Sequence, residues 1–126
     1  MKRLTPFLLA VCALGKDAPA LMPMPASITQ GQGKLVIDGS FAVRLTGYAN
    51  ARLERQVSEF TARISRQTGI PIVGGEHAVL TIECRAAGPD SLTLGEDESY
   101  QLDIAPEGAR LTAPAATGVL RGLQTF

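Results

Sequence analysis

Residues 50–71 read NARLERQVSEFTARISRQTGIP, from Asn50 to Pro71, and carry a complete helix signature. Leu53, Val57, Phe60 and Ile64 recur at helical spacing as one apolar stripe, while Arg52, Arg55, Glu59, Arg63 and Arg66 fall largely off it. Asn50 can act as the N-cap, its side-chain oxygen accepting from free backbone N–H groups. Gly69 can take the left-handed conformation that closes a helix, and Pro71 prevents continuation. One long amphipathic helix is expected here, with its stripe buried.

On either side the apolar period changes from helical to alternating. Lys34-Leu35-Val36-Ile37-Asp38 reads as a strand, Gly39-Ser40 as a turn, and Phe41, Val43 and Leu45 alternate with Ala42 and Arg44 as a second strand. Beyond the helix come a short Ile70–Val73 run, Gly74-Gly75, and a strand from Val79 to Cys84. Gly88 to Glu98 is a polar loop with an acidic cluster. Tyr100, Leu102 and Ile104 alternate again, Pro106-Glu107-Gly108 makes a turn, and Ala109-Arg110-Leu111-Thr112 returns as a hairpin. After Pro114, Val119, Leu120, Leu123 and Phe126 fall on one face of a second helix. The expected fold class is α+β: an antiparallel-rich sheet with the long amphipathic helix and a C-terminal linking helix packed on one face.

The amino terminus has a different character. Lys2 and Arg3 precede the apolar run from Pro6 to Leu14, and Ala13-Leu14-Gly15 offers a small-x-small cleavage site. This is the layout of a secretory signal peptide over residues 1–15, too short to span a membrane as a permanent helix. Leu9-Ala10-Val11-Cys12 also resembles a lipobox, which would make Cys12 a lipid-anchoring position. Residues 16–27, with Pro19, Pro23 and Pro25, form an extended Pro-rich lead-in, and residues 28–126 form the folded domain. The expected location is exported, periplasmic or extracellular, with no transmembrane span.

Composition narrows the function. The 126 residues leave room for one domain and none for a (β/α)8 barrel, which needs about 250. Lys and Arg total 12 against 12 Asp and Glu, and loss of Lys2 and Arg3 leaves 10 basic against 12 acidic residues. There is no net positive field for nucleic acid, so no nucleic-acid partner is expected. Only Cys84 remains beyond the signal, which rules out an internal disulfide in the exported chain. Its place after Leu80 and Ile82 puts it on the buried face of a strand.

Catalytic motifs are missing. Zinc usually takes three or four His, Cys or carboxylate ligands, and the chain has His77 alone beside that one Cys, so neither a metal nor a cofactor site is expected. Gly31-Gln32-Gly33-Lys34 is too short for a phosphate loop and precedes a strand, so it reads as a turn. A nucleophilic serine has no G-x-S-x-G elbow. Asp97-Glu98 is the one tempting carboxylate pair, but adjacent residues entering a strand point to opposite faces, with nothing apolar to desolvate them. It reads as a solvated acidic loop that discourages edge pairing. The residues describe a noncatalytic α+β domain with no catalytic, cofactor-binding or metal-binding site.

Three stretches, taken in order, supply more. Leu21-Met22-Pro23-Met24-Pro25, the hairpin Glu98-Ser99-Tyr100-Gln101-Leu102-Asp103-Ile104 with Gly108-Ala109-Arg110-Leu111-Thr112-Ala113, and Gly118-Val119-Leu120-Arg121-Gly122-Leu123-Gln124-Thr125-Phe126 together resemble the N-terminal domain of glycoside hydrolase family 20, the β-N-acetylhexosaminidases. The resemblance covers about Leu21 to Phe126. It implies a zincin-like α+β fold without zinc, packed against a (β/α)8 barrel that removes terminal non-reducing N-acetylhexosamine. In that reaction an enzyme carboxylic acid protonates the leaving oxygen and the substrate's own acetamido group is the nucleophile, with retention. The family's catalytic Asp-Glu follows a Gly-Gly in a barrel loop, so Asp97-Glu98 cannot inherit the role, and Arg121 does not match the family's sugar-binding arginine. No catalytic residue carries over.

The resemblance implies that the domain supports the barrel of the same polypeptide, with Val119, Leu120, Leu123 and Phe126 as the contact stripe and N-acetylhexosamine glycans reaching only the barrel. A helix ending on apolar Phe126, with neither a capping Gly or Asn nor basic residues in its last turn, reads as a gene product truncated before that barrel. Two other readings stand beside this one. The domain could precede a different barrel glycosidase, of the α-glucuronidase or family 84 type, or be a freestanding exported module binding glycans or protein. The latter would need exposed aromatics, and the chain has two Tyr, four Phe and no Trp.

Overall fold

A computed structural model describes residues 19–91 and 93–126. The signal reading of residues 1–15, including Cys12, and the start of the lead-in lie outside them. In chain order the elements are β1 (Val43–Gly47), α1 (Ala51–Thr68), β2 (Leu80–Ala86), β3 (Gln101–Ala105), β4 (Gly108–Ala115) and α2 (Ala116–Thr125).

Helix α1 forms as its sequence requires. The Asn50 side chain accepts from the Leu53 N–H at 2.9 Å, and Gly69, at φ 71°, donates its N–H to the Ser65 carbonyl at 2.9 Å. Leu53, Phe60 and Ile64 are buried and Val57 half-buried, so the stripe faces the core.

The four strands lie in the order β1-β2-β4-β3. Strand β1 pairs parallel with β2, β2 parallel with β4, and only β3 pairs antiparallel, with β4. The antiparallel-rich expectation is thereby corrected to a mixed sheet. Its source is clear in the register. Leu45, Ile82, Leu111 and Leu102 form one row across all four strands, and Thr46, Glu83, Thr112 and Gln101 form the next, on the other face. The first row lies on the helix side and the second faces outward. Alternation records a sheet with one polar face, a pattern common in antiparallel sheets and unusual in parallel ones, whose faces are normally both covered. It does not record strand direction. The crossover does: a strand, an 18-residue helix and a strand fit a parallel connection.

Two further boundaries moved. Residues 34–38 form no strand: Leu35 and Ile37 pack on the core while Val36 is 74% exposed, so the alternation is present but no ladder forms. The second strand starts at Val43, because Phe41 turns inward, its N–H bonded to the Asp38 carbonyl at 3.1 Å.

Phe41, 1% exposed, gathers the core with Phe60 of α1 and Phe126 after α2, at ring-centroid distances of 6.4 Å (Phe41–Phe60), 6.1 Å (Phe41–Phe126) and 5.5 Å (Phe60–Phe126). Such tilted and edge-on pairs add to the area the rings bury. Helix α2 lies close on the sheet: a Cβ on Gly122 would stand 2.2 Å from Leu111 Cδ1, and one on Gly118 2.2 Å from the Ser99 carbonyl oxygen. Both glycines serve close approach.

Candidate functional site

The carboxylates of the 88–98 loop are the first candidates. Asp97 is exposed, and hydrogen bonding from the Ser99 side chain, with that from the Ser99 N–H at 2.9 Å, holds its carboxyl below the usual aspartate range. Glu98 receives a two-point ion pair from Arg121, Nε at 2.8 Å and Nη2 at 3.1 Å, and this bond, with Arg121's charge, lowers its pKa. A general acid on a glycoside needs the opposite shift, a carboxyl kept protonated by burial. The pair is unsuited to acid catalysis.

What these acids do instead is staple the loop onto α2. Glu96 accepts a hydrogen bond from the Thr117 hydroxyl in the first turn of α2, a helix whose cap position, Ala115, offers no side-chain acceptor. A carboxylate there complements the positive end of the helix. Glu98 reaches Arg121 one turn further on, and the Ser99 carbonyl rests against Gly118. Asp97 and Glu98 are both exposed, as a solvated loop requires, and Glu96 is half-buried; the partners of Glu96 and Glu98 lie about twenty residues away and carry no sequence signal.

The Glu98–Arg121 pair carries a pH signature. The folded pKa of Glu98 lies below its unfolded value, so the pair stabilises at neutral pH and is lost as pH falls through the carboxylate range. Glu98→Gln should melt slightly below wild type at neutral pH, with the gap closing as the carboxylate is protonated in acid. Thermal melts across that range check it, and a constant gap would assign the pair no stabilising role.

The remaining candidates also resolve. His77 and Glu76 are exposed in the loop before β2. Cys84 is fully buried on the inner face of β2, its Sγ donating to the Ala86 carbonyl at 3.2 Å, and burial pushes the thiol pKa up, which disfavours the reactive thiolate. Among the described residues no three His, Cys, Asp or Glu side chains gather where a metal could bind, and no helix is long and apolar enough to cross a membrane. A depression of about 670 Å³, open to solvent, is lined by residues of β3 and β4 together with Thr29, Val79 and Thr81; its carboxylates, Asp103 and Glu107, are both exposed.

The predicted contact stripe of α2 needs a correction. Val119 is 0% and Leu123 4% exposed, both inside the domain's own core, so neither can meet a partner. Leu120 and Phe126 are half-buried and keep part of their surface outward. The sequence shows that this face is apolar but not what covers it, and most of it is spent on β4 and β2. The end of α2 is tied as well: Arg63 Nη2 donates to the Leu123 carbonyl at 2.7 Å, with its guanidinium 5.5 Å from the Phe60 ring centroid. A neighbouring helix thus supplies the basic group that the last turn of α2 lacks.

Residues 18–126 match the family model described as glycosyl hydrolase family 20, domain 2. The fold is similar to that of a chitobiase from Flavobacterium johnsoniae solved by X-ray, with a TM-score of 0.76 and 32% sequence identity. The likeness covers 83% of this chain and 17% of that one, so the chain spans about a sixth of the chitobiase's length. No curated protein matches the chain.

Proposed function

We propose, from the premise that this chain belongs to the glycosyl hydrolase family 20 domain 2 family, that it is the noncatalytic N-terminal domain of an exported β-N-acetylhexosaminidase. The carrying observation is the extent of the likeness: nearly the whole of this domain corresponds to a small share of a chitobiase chain. The parent enzyme would remove terminal non-reducing N-acetylhexosamine by substrate-assisted retention in a (β/α)8 barrel, with this domain as its support. The half-exposed Leu120 and Phe126 would meet that barrel. The family match favours this parent over an α-glucuronidase or family 84 enzyme. Export, by ordinary signal cleavage or by lipidation at Cys12, rests on the sequence of residues 1–15.

The test is the reading frame past Phe126. A barrel-coding region with a Gly-Gly-Asp-Glu stretch supports the reading, and an unrelated continuation overturns it. In an assay on an aryl N-acetylglucosaminide, residues 16–126 alone are expected to give no turnover; turnover would place a catalytic centre within this domain.

A further inference from the structure

Among the described residues, Thr117 and Thr125 are the two buried polar side chains, and both lie on α2. With Arg121 between them they stand four residues apart, so the three share one face of the helix. Each takes its partner from the segment that leads into β3. Glu96 accepts from the Thr117 hydroxyl, Glu98 accepts from the Arg121 guanidinium, and the Tyr100 and Thr125 hydroxyls share a hydrogen bond of 2.6 Å. Alternate residues of the segment therefore meet every fourth residue of the helix. The spacings agree, since two extended residues span about 6.6 Å and four helical residues about 6 Å. Asp97, between the first two rungs, is exposed, as that alternation requires.

Nothing else on α2 defines its position so closely. Its inner face, Ala116, Val119 and Leu123, is apolar, and apolar attraction is non-directional. Its cap position makes no side-chain hydrogen bond. A slip of one residue turns a helix by about 100°, which would carry both threonines away from their partners and leave buried hydroxyls unpaired, a costly state. A single buried Asn fixes the register of a coiled coil by the same penalty. We infer that residues 96–100 are a register key for α2: the three rungs, rather than the apolar face, select the one rotation and axial position that the helix takes on the sheet. The rungs must then act as a unit, since a helix released at one end can turn along its whole length.

Hydrogen exchange with mass-spectrometric readout on the full polypeptide tests this, with residues 51–68 of α1 as the internal reference. Tyr100→Phe removes one hydroxyl at the far end of the row. Exchange is expected to rise several-fold across residues 116–125, the first turn beside Thr117 included, with residues 51–68 unchanged. No rise, or a rise confined to the last turn, would make the rungs separate contacts; a rise that includes residues 51–68 would make them general stabilisers. Any of these overturns the inference. The second variant, Glu98→Arg with Arg121→Glu, rebuilds the middle rung with its charges reversed. It should exchange more slowly across residues 116–125 than either substitution alone, and no recovery counts against the key.

Discussion

Replacing Phe41 by alanine is expected to cost about 3–5 kcal/mol, a large share of the roughly 5–15 kcal/mol that holds a domain of this size together. The ring is 1% exposed and touches both Phe60 and Phe126, so its loss opens a cavity where the segment before β1, helix α1 and the end of α2 meet. Neither neighbour can collapse into that space freely. Phe60 is fixed by the rigid, doubly capped α1, and the end of α2 is held by Arg63. Urea unfolding should show the midpoint falling with the slope unchanged. A shift as small as that of an exposed substitution would mean that the three rings are not one packed unit.

The second large effect reverses an ordinary rule. Alanine normally favours a helix over glycine by about 1 kcal/mol. Gly118→Ala should instead destabilise, by about 1–3 kcal/mol or more, because the new methyl would sit 2.2 Å from the Ser99 carbonyl oxygen and 3.0 Å from Ala113 Cβ. A backbone carbonyl cannot swing aside. Relief would require α2 to lift from β4 or the loop to leave α2, breaking the contacts of Glu96 and Glu98. Gly31→Ala is the control, since nothing lies within 4 Å of its added methyl, and it should change stability by no more than about 0.5 kcal/mol. A Gly118→Ala variant melting at or above wild type would refute the close approach.

Helix α1 was legible to its caps because all its determinants are local: a stripe, an acceptor at Asn50, and a glycine and proline at the exit. The strands were legible as strands for the same reason, but not their partners. Leu80, Ile82 and Cys84 specify a face; whether β1 and β4 run with β2 or against it is set by connections the alternation does not describe. Residues 34–38 show the limit from the other side, having strand periodicity but forming no ladder. At the candidate site the sequence places Asp97, Glu98 and His77 in solvated loops and Cys84 on a buried strand face, and the first three are exposed and the last is buried. It missed the pairings of Glu96 with Thr117, Glu98 with Arg121 and Arg63 with Leu123, because long-range polar contacts leave no period and no motif.

The position of β4 has a consequence for synthesis. The last strand of this sheet to leave the ribosome lies inside it, between β2 and β3, and β2 meets β3 only through it. A nascent chain complete through β3 can close the β1–α1–β2 unit but leaves one edge of β2 and all of β3 without their ladder. Sheet closure must wait for residues up to Ala115, 35 positions after β2 begins at Leu80, and it proceeds through nonlocal parallel pairing, the slow kind. The sheet therefore closes late in the synthesis of this domain, and between the end of β2 and the end of β4 the growing chain carries an unprotected strand edge that a chaperone or a second chain could occupy.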